Sequence, residues 1–112
     1  MSVENLPVLS KIFIYPVKSL PGIELDQALI SKDGVMHPVN KNVIDRKWMI
    51  VDSNRSFISQ RKFPKMALIK QRVDGENLVL SAPNKTDVKF STLFKGEKVK
   101  CRLWSDYLDC YS

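Results

Sequence analysis

The sequence is poor in the residues from which catalytic and metal sites are commonly built. Its 112 residues include two cysteines and a single histidine, His37, and their spacing matches no zinc-binding pattern. The four glycines form neither G-x-G-x-x-G nor a P-loop, and no serine lies in a G-x-S-x-G elbow. Nucleotide binding by a glycine-rich loop is therefore excluded, a hydrolytic triad is disfavoured, and His37 is interpreted as a loop histidine.

Long apolar runs are missing as well. No stretch approaches the roughly 20 apolar residues of a membrane span, and residues 1–7 lack the basic and apolar regions of a secretory signal. We therefore expect one soluble, cytoplasmic domain over residues 1–112, monomeric and without a membrane partner. Cys101 and Cys110 could be bridged partners, metal ligands or plain thiols, and reduced structural thiols are favoured in the cytoplasm.

Positive charge is abundant and concentrated. The net charge is +6, yet residues 41–72 alone contain nine basic residues against two acidic ones, so this basic segment is +7 and the rest is −1. Clustered positive charge repels itself, which favours an anionic partner for the segment. A solvated basic face without a ligand is the alternative.

Apolar residues alternate with polar ones more often than they follow a helical period, which predicts strands. Residues 10–17 and 23–30 should pair as a hairpin through a type II turn at Leu20-Pro21-Gly22-Ile23. Residues 35–45 are predicted to form a long surface loop.

The second half of the chain should contain further hairpins. We expect a strand at 47–51 that turns into Phe57-Ile58, then a strand rather than a helical turn at 66–69, and a hairpin from Val73 to Leu80. Short strands follow at 88–90, 99–103 and near Leu108. The predicted fold class is all-β: a small irregular barrel or sandwich of about seven or eight short, mostly antiparallel strands with little helix.

Basic and hydroxyl side chains lie at the predicted strand ends. Lys18 and Ser19 would present an ammonium and a hydroxyl side by side at the end of the first strand, which suits an oxyanion. Arg46 could bind a phosphate with two parallel hydrogen bonds, and Arg61 follows the second hairpin. For each of the cations Lys18, Arg46 and Arg61 taken alone, a surface cation or an ion-pair partner is the favoured interpretation.

Together these residues resemble the MOSC N-terminal β-barrel domain over 11–110. The resemblance lies in five blocks that occur in order, namely Ile14-Tyr15-Pro16-Val17-Lys18-Ser19 with Gly22, then Gly34, Asp45-Arg46-x-Trp48-Met49, Ser59-Gln60-Arg61-x-x-Pro64, and the tail from Cys101 to Asp109-Cys110. Members of this family include amidoxime-reducing components and the C-terminal region of molybdenum cofactor sulfurases.

The resemblance implies a binding role toward a molybdopterin-type molybdenum cofactor. It assigns Lys18, Ser19 and Arg46, with Arg61 as a further candidate, to the phosphate and pterin end of that cofactor. The metal-ligating cysteine belongs to a MOSC domain, which this sequence does not contain and which would be a partner in cis or in trans. The chain would then be no enzyme by itself, although its family context is molybdenum-dependent oxidoreductases or sulfurtransferase-type proteins.

Two other functions fit parts of the sequence. A small basic barrel could bind single-stranded nucleic acid, because Trp48, Phe57 and Phe63 are interleaved with the basic segment. Trp48 and Phe57, however, fall on positions expected to be buried. A protein-interaction module is the other alternative, and an apolar patch beside the basic residues would favour it.

Overall fold

The computed structural model describes residues 9–93, 96, 98–103 and 106–111. Its strands, all in antiparallel sheets, are β1 Ile12–Ile14, β2 Ile23–Leu25, β3 Leu29–Ser31, β4 Gly34–Met36, β5 Lys70–Asp74, β6 Asn77–Ser81, β7 Val88–Ser91, β8 Lys98–Leu103 and β9 Asp106–Tyr111. They form the sheets β1-β2, β3-β4, β5-β6-β7 and β8-β9. The predicted all-β class with short strands and little helix is confirmed.

The first hairpin forms as predicted, but its turn does not. β1 pairs with β2 so that Ile14 lies opposite Ile23, and Ile14 is fully buried. The predicted type II turn needs a positive φ at Gly22, whereas the left-handed residue is Ser19, with φ 70°. The chain reverses earlier, where Leu20 N–H donates to the Val17 carbonyl at 3.5 Å. Lys18 and Ser19 therefore lie within the turn.

A glycine is needed at position 22 because a side chain would not fit there, and not because the backbone has a positive φ angle. A Cβ at this position would lie 2.9 Å from Cε1 of Tyr15 and 3.3 Å from the backbone oxygen of Ile14. The glycine thus lets the return strand pass close to the Tyr15 ring, which lies beside the candidate site.

Residues 23–30 do not form one strand, and the predicted loop at 35–45 begins with a strand. The pairing stops after Leu25, and β3 then pairs with β4 through a two-residue turn at 32–33. The Ser31 hydroxyl donates to the Gly34 carbonyl at 2.9 Å and accepts from the Asp33 N–H at 3.2 Å. This local network, together with a φ of 126° at Gly34, closes a hairpin that the sequence pattern did not reveal.

The strand predicted at 47–51 is wrong in extent. Only single bridges occur there, a parallel one between Val17 and Trp48 and an antiparallel one between Val51 and Phe57. The turn after Val51 does form, since Asp52 N–H donates to the Ser56 carbonyl at 2.9 Å. The segment therefore connects the Tyr15–Ser19 stretch on one side to residues 56–58 on the other.

The strand predicted at 66–69 is also wrong, because Pro64–Leu68 is a 3-10 helix. Proline suits the first turn of a helix, where its missing N–H costs nothing and its φ is already set. Only Met66 of this helix is buried, so the apolar run reflects one inward residue and not an alternating strand.

The hairpin predicted from Val73 to Leu80, the strand at 88–90 and the C-terminal hairpin all form, and β6 also pairs with β7. In the β5-β6-β7 sheet, Leu78 and Val79 of the central strand are buried. The last hairpin pairs Cys101 with Leu108 and Cys110 with Val99, so the two cysteines do not lie directly opposite each other.

The main core lies under the turn that carries Lys18 and Ser19. Val17 and Leu20, each 2% exposed, pack there with Met66 and Leu78. Trp48 and Phe90 pack edge-to-face against this cluster, with ring centroids 5.5 Å apart. Within the described residues, no helix is long and apolar enough to cross a membrane.

Candidate anion-binding site

Three chain segments meet at the predicted site. The segment 15–18 runs beside 46–48: Arg46 N–H donates to the Tyr15 carbonyl at 2.6 Å, and Trp48 N–H donates to the Pro16 carbonyl at 2.9 Å. Lys18 N–H in turn donates to the Trp48 carbonyl at 2.8 Å. The third segment, 57–61, approaches Lys18 and Ser19 from the other side.

The turn at Lys18 and Ser19 is anchored on both sides by the core. Its flanking residues, Val17 and Leu20, are buried, so the two polar residues between them are held at the surface of the packed interior. The Lys18 ammonium lies 5.0 Å from the centroid of the Phe57 ring. A cation over an aromatic face is attracted by the ring quadrupole, which restricts where the lysine side chain points.

Ser19 links this turn to Gln60 and Arg61. The Gln60 backbone N–H donates to the Ser19 hydroxyl at 3.1 Å, and the Gln60 side-chain amide donates to the Ser19 carbonyl at 3.3 Å. Because the hydroxyl oxygen accepts this bond, its own hydrogen can be donated elsewhere. These contacts are made by Gln60, and the exposed Arg61 follows it in the chain.

Arg46 lies at the other end of the Tyr15–Ser19 stretch. Its guanidinium forms an ion pair with the neighbouring Asp45 carboxylate and lies 5.1 Å from the Tyr15 ring centroid. The side chain is still 60% exposed. Asp45 has a second role, because its Oδ1 accepts the Tyr15 N–H at 2.7 Å and so joins residue 45 to residue 15.

Two of the four predicted site residues have unfavourable backbone geometry. Ser19 has φ 70° and Arg46 has φ 55°, in the left-handed region that costs an L-residue roughly 1–2 kcal/mol. Such conformations persist only where neighbouring contacts hold them, and they concentrate at binding sites. Here the contacts are the bonds from Gln60 to Ser19 and from Arg46 to Tyr15.

Most cations of the basic segment lack a carboxylate partner among residues 9–93. Of the nine cations between 41 and 72, two form ion pairs within 4.0 Å in that range: Arg46 with Asp45, and Arg72 with Asp87 at 3.5 Å. Lys18 and Arg61 likewise form no ion pair in that part of the chain. No carboxylate of residues 9–93 therefore competes with an anionic ligand for the charges of Lys18 and Arg61.

The described residues offer donors for an oxyanion but no ligand set for a metal. No group of three or more histidine, cysteine or acidic side chains comes together in the described part of the chain. His37 is occupied locally: its Nδ1 accepts the N–H groups of Val39 and Asn40 at 3.1 and 3.2 Å. Burial lowers the pKa of His37 below its usual 6.5.

The aromatic residues proposed for base stacking are placed differently from one another. Trp48 and Phe57 are half-buried, one against Phe90 and the other under Lys18, whereas Phe63 is 48% exposed. These three rings therefore do not present a row of exposed faces.

Sequence reasoning missed three residues that shape the site. Asp45 and Gln60 stand out in the sequence only as members of the Asp45-Arg46 and Ser59-Gln60-Arg61 blocks, which do not predict their contacts with Tyr15 and Ser19. Gln71 was overlooked altogether, although its side chain bonds to both flanks of the Lys18–Ser19 turn. A buried glutamine in a strand has no local sequence signature, because its partners lie about 50 residues away.

Comparison with known proteins places these residues in a family context. Residues 6–112 match the model of the MOSC N-terminal beta barrel domain. The chain is similar to mitochondrial amidoxime-reducing component 1 of Homo sapiens, with 28% identity over 76% of this chain and 24% of that protein.

The chain is also similar to two molybdenum cofactor sulfurases. The protein of Drosophila mojavensis is 29% identical over 93% of this chain and 14% of its own length. The protein of Arabidopsis thaliana is 33% identical over 71% of this chain and 9% of its own length. The chain thus spans less than a third of the length of the curated relatives that it matches.

Proposed function

Because the chain belongs to the family of the MOSC N-terminal beta barrel domain, we propose that it is an accessory cofactor-binding domain for a molybdopterin-type molybdenum cofactor. In this proposal Lys18, Ser19, Arg46 and Arg61 bind the phosphate and pterin end of the cofactor. The observation that supports it is the bonding of Ser19 to Gln60, the residue before Arg61, at the turn that carries Lys18 and Ser19.

The chemistry of these donors supports an oxyanion as ligand. Lysine supplies a point charge, serine a hydroxyl donor, and arginine a planar fork that matches two phosphate oxygens. Hydrogen bonds between charged groups are shorter and stronger than neutral ones. Arg46 would approach from the Tyr15 end, where its contact with Asp45 leaves most of the side chain exposed.

The proposal assigns the metal end of the cofactor to a second domain. The donors at this site are cations and a hydroxyl, which suit phosphate, and none of the four assigned residues is the cysteine that the resemblance implies as the metal ligand. When bound, the cofactor would supply redox chemistry in a protein like the amidoxime-reducing component, and would be the group acted on in a protein like the molybdenum cofactor sulfurases. The proposed partner is therefore a MOSC domain in cis or in trans, and this chain contributes binding without catalysing a reaction alone. Its monomeric state and cytoplasmic location stay predictions.

Anaerobic equilibrium dialysis tests the proposal with molybdopterin cofactor released from a molybdenum enzyme. The wild-type chain should retain the cofactor, and Lys18→Gln or Arg61→Gln should each weaken retention by at least about tenfold, since a hydrogen bond to a charged group contributes about 1.5–3 kcal/mol. Lys85→Gln, which removes the same charge at an exposed turn outside the site, is the matched control. Equal retention by all of these variants would refute the assigned residues.

A further inference from the structure

Gln71 spans the base of the turn that carries Lys18 and Ser19. Gln71 belongs to β5 and is only 7% exposed. The Oε1 atom accepts the Val17 N–H at 3.1 Å, and the Nε2 atom donates to the Pro21 carbonyl at 2.8 Å. One carboxamide therefore joins the residues on either side of the Lys18-Ser19-Leu20 stretch.

Few side chains could make both bonds. The Val17 group is a donor and the Pro21 group is an acceptor, so the residue between them must accept at one atom and donate at another. The acceptor oxygen and the donor nitrogen of a carboxamide are held at a fixed distance. A side chain that bonds to Val17 through one and to Pro21 through the other therefore also sets the distance between these two residues. Burial makes the pairing strict, because an unpaired polar group in the interior is costly.

The turn needs such support because its geometry is unfavourable. Ser19 has φ 70°, which an isolated serine rarely adopts. Gln60 holds the outer side of the turn through the Ser19 hydroxyl and carbonyl, and Gln71 holds the inner side through Val17 and Pro21. Only the outer contact involves an exposed residue that a ligand could touch.

We propose that Gln71 is a positioning residue, which holds the Lys18–Ser19 turn in its anion-binding conformation without touching the anion. The proposal rests on the proposed function for the identity of the ligand, although the conformational role is independent of it. Loss of either bond at Gln71 should let Ser19 leave its left-handed conformation and should weaken anion binding.

The variant Gln71→Glu tests the two hydrogen bonds without changing the size of the side chain. The introduced carboxyl has the same shape, and in its protonated form it can accept from Val17 N–H and donate to the Pro21 carbonyl. When ionised, it loses the donor and repels the Pro21 oxygen. Because burial favours the neutral form of a carboxyl, its protonated state should persist at mildly acidic pH.

The probe is inorganic phosphate, and its binding to the full chain is measured by NMR titration at pH 5 and pH 8. Affinities are expressed relative to wild type at the same pH, which cancels the titration of phosphate itself. We expect the phosphate affinity of Gln71→Glu to lie within twofold of the wild-type affinity at pH 5 and to be about tenfold weaker at pH 8. Gln27→Glu, at an exposed position, adds the same charge and should show no more than a twofold change.

Gln71→Met covers the case in which the ionised variant unfolds. It removes both bonds without adding charge and should weaken phosphate binding about tenfold at either pH. Asn40→Ala removes a buried polar side chain elsewhere and serves as a control for general destabilisation, with phosphate affinity expected within twofold of wild type.

The outcomes separate this inference from the proposed function. If wild type binds phosphate at the turn and the Gln71 variants bind equally well at both pH values, the positioning role is refuted and the proposed function stands. If wild type does not bind phosphate, the proposed function fails, and the amide shifts of residues 17–20 decide the inference. Displaced shifts for Gln71→Met, which removes both bonds, support it, whereas wild-type-like shifts for Gln71→Met overturn it.

Discussion

Replacing Asp45 with alanine should destabilise the fold by about 2–3 kcal/mol, mainly through one backbone contact. The Asp45 carboxylate, 19% exposed, accepts the partly buried Tyr15 N–H at 2.7 Å, and a hydrogen bond to a charged group contributes about 1.5–3 kcal/mol. Its ion pair with Arg46, whose side chain is 60% exposed, adds at most about 1 kcal/mol. Asp45→Asn keeps an acceptor for Tyr15 and should cost only about 1 kcal/mol.

Urea unfolding followed by tryptophan fluorescence measures both variants. The ranking of the two substitutions tests the reasoning, because it separates the backbone contact from the ion pair. Asp87→Ala is the control, since it removes an exposed ion pair with Arg72 at 3.5 Å and should cost less than about 1 kcal/mol. Equal costs for alanine and asparagine at position 45 would show that the Tyr15 contact contributes little and would refute this account of the site's framework.

Three further predictions concern the scaffold. The lowered pKa of His37 means that the unfolded chain takes up a proton at higher pH than the folded chain. The stability contributed by neutral His37 is therefore complete above pH 6.5 and is lost as the pH falls through the folded-state pKa. His37→Gln should flatten this acid-side loss in urea titrations between pH 4 and 8, and an unchanged slope would contradict the prediction. Asn40→Ala should lower the free energy of unfolding by about 1–3 kcal/mol, because the Asn40 amide donates to the Gly75 carbonyl at 3.0 Å and to the Thr92 hydroxyl at 3.1 Å. In urea unfolding, a smaller loss than that of the exposed control Asn54→Ala would refute the prediction. Gly75→Ala should cost about 1 kcal/mol from backbone strain alone, since φ is 59° and no atom lies within 4 Å of the added Cβ; a neutral result by thermal unfolding would contradict it.

The hairpins were predictable because alternation and turn residues are local signals. Alternation predicts β2 and β8, and the turn residues around Gly75 predict the β5-β6 hairpin. The errors occurred where tertiary contacts override the local pattern. The turn at Leu20-Pro21-Gly22-Ile23 was predicted from its proline and glycine, but Val17 and Leu20 are both buried, so the chain reverses between them.

The candidate site divides in the same way. Lys18, Ser19, Arg46 and Arg61 could be selected from the sequence, because cations and hydroxyls at strand ends indicate anion binding. The residues that hold them could not. Gln71 is 54 positions from Val17 and Gln60 is 41 positions from Ser19, and nothing in either local sequence indicates such a partner.

The most direct test of the proposed binding role is an amide-resolved NMR titration of the wild-type chain with inorganic phosphate. The account predicts saturable shifts that are largest at Lys18, Ser19 and Arg61, with smaller shifts at Arg46, and little change at exposed lysines elsewhere such as Lys85. Shifts that grow without saturation and are spread over the exposed lysines would mean that the positive charge is only a solvated face, and would contradict the central claim.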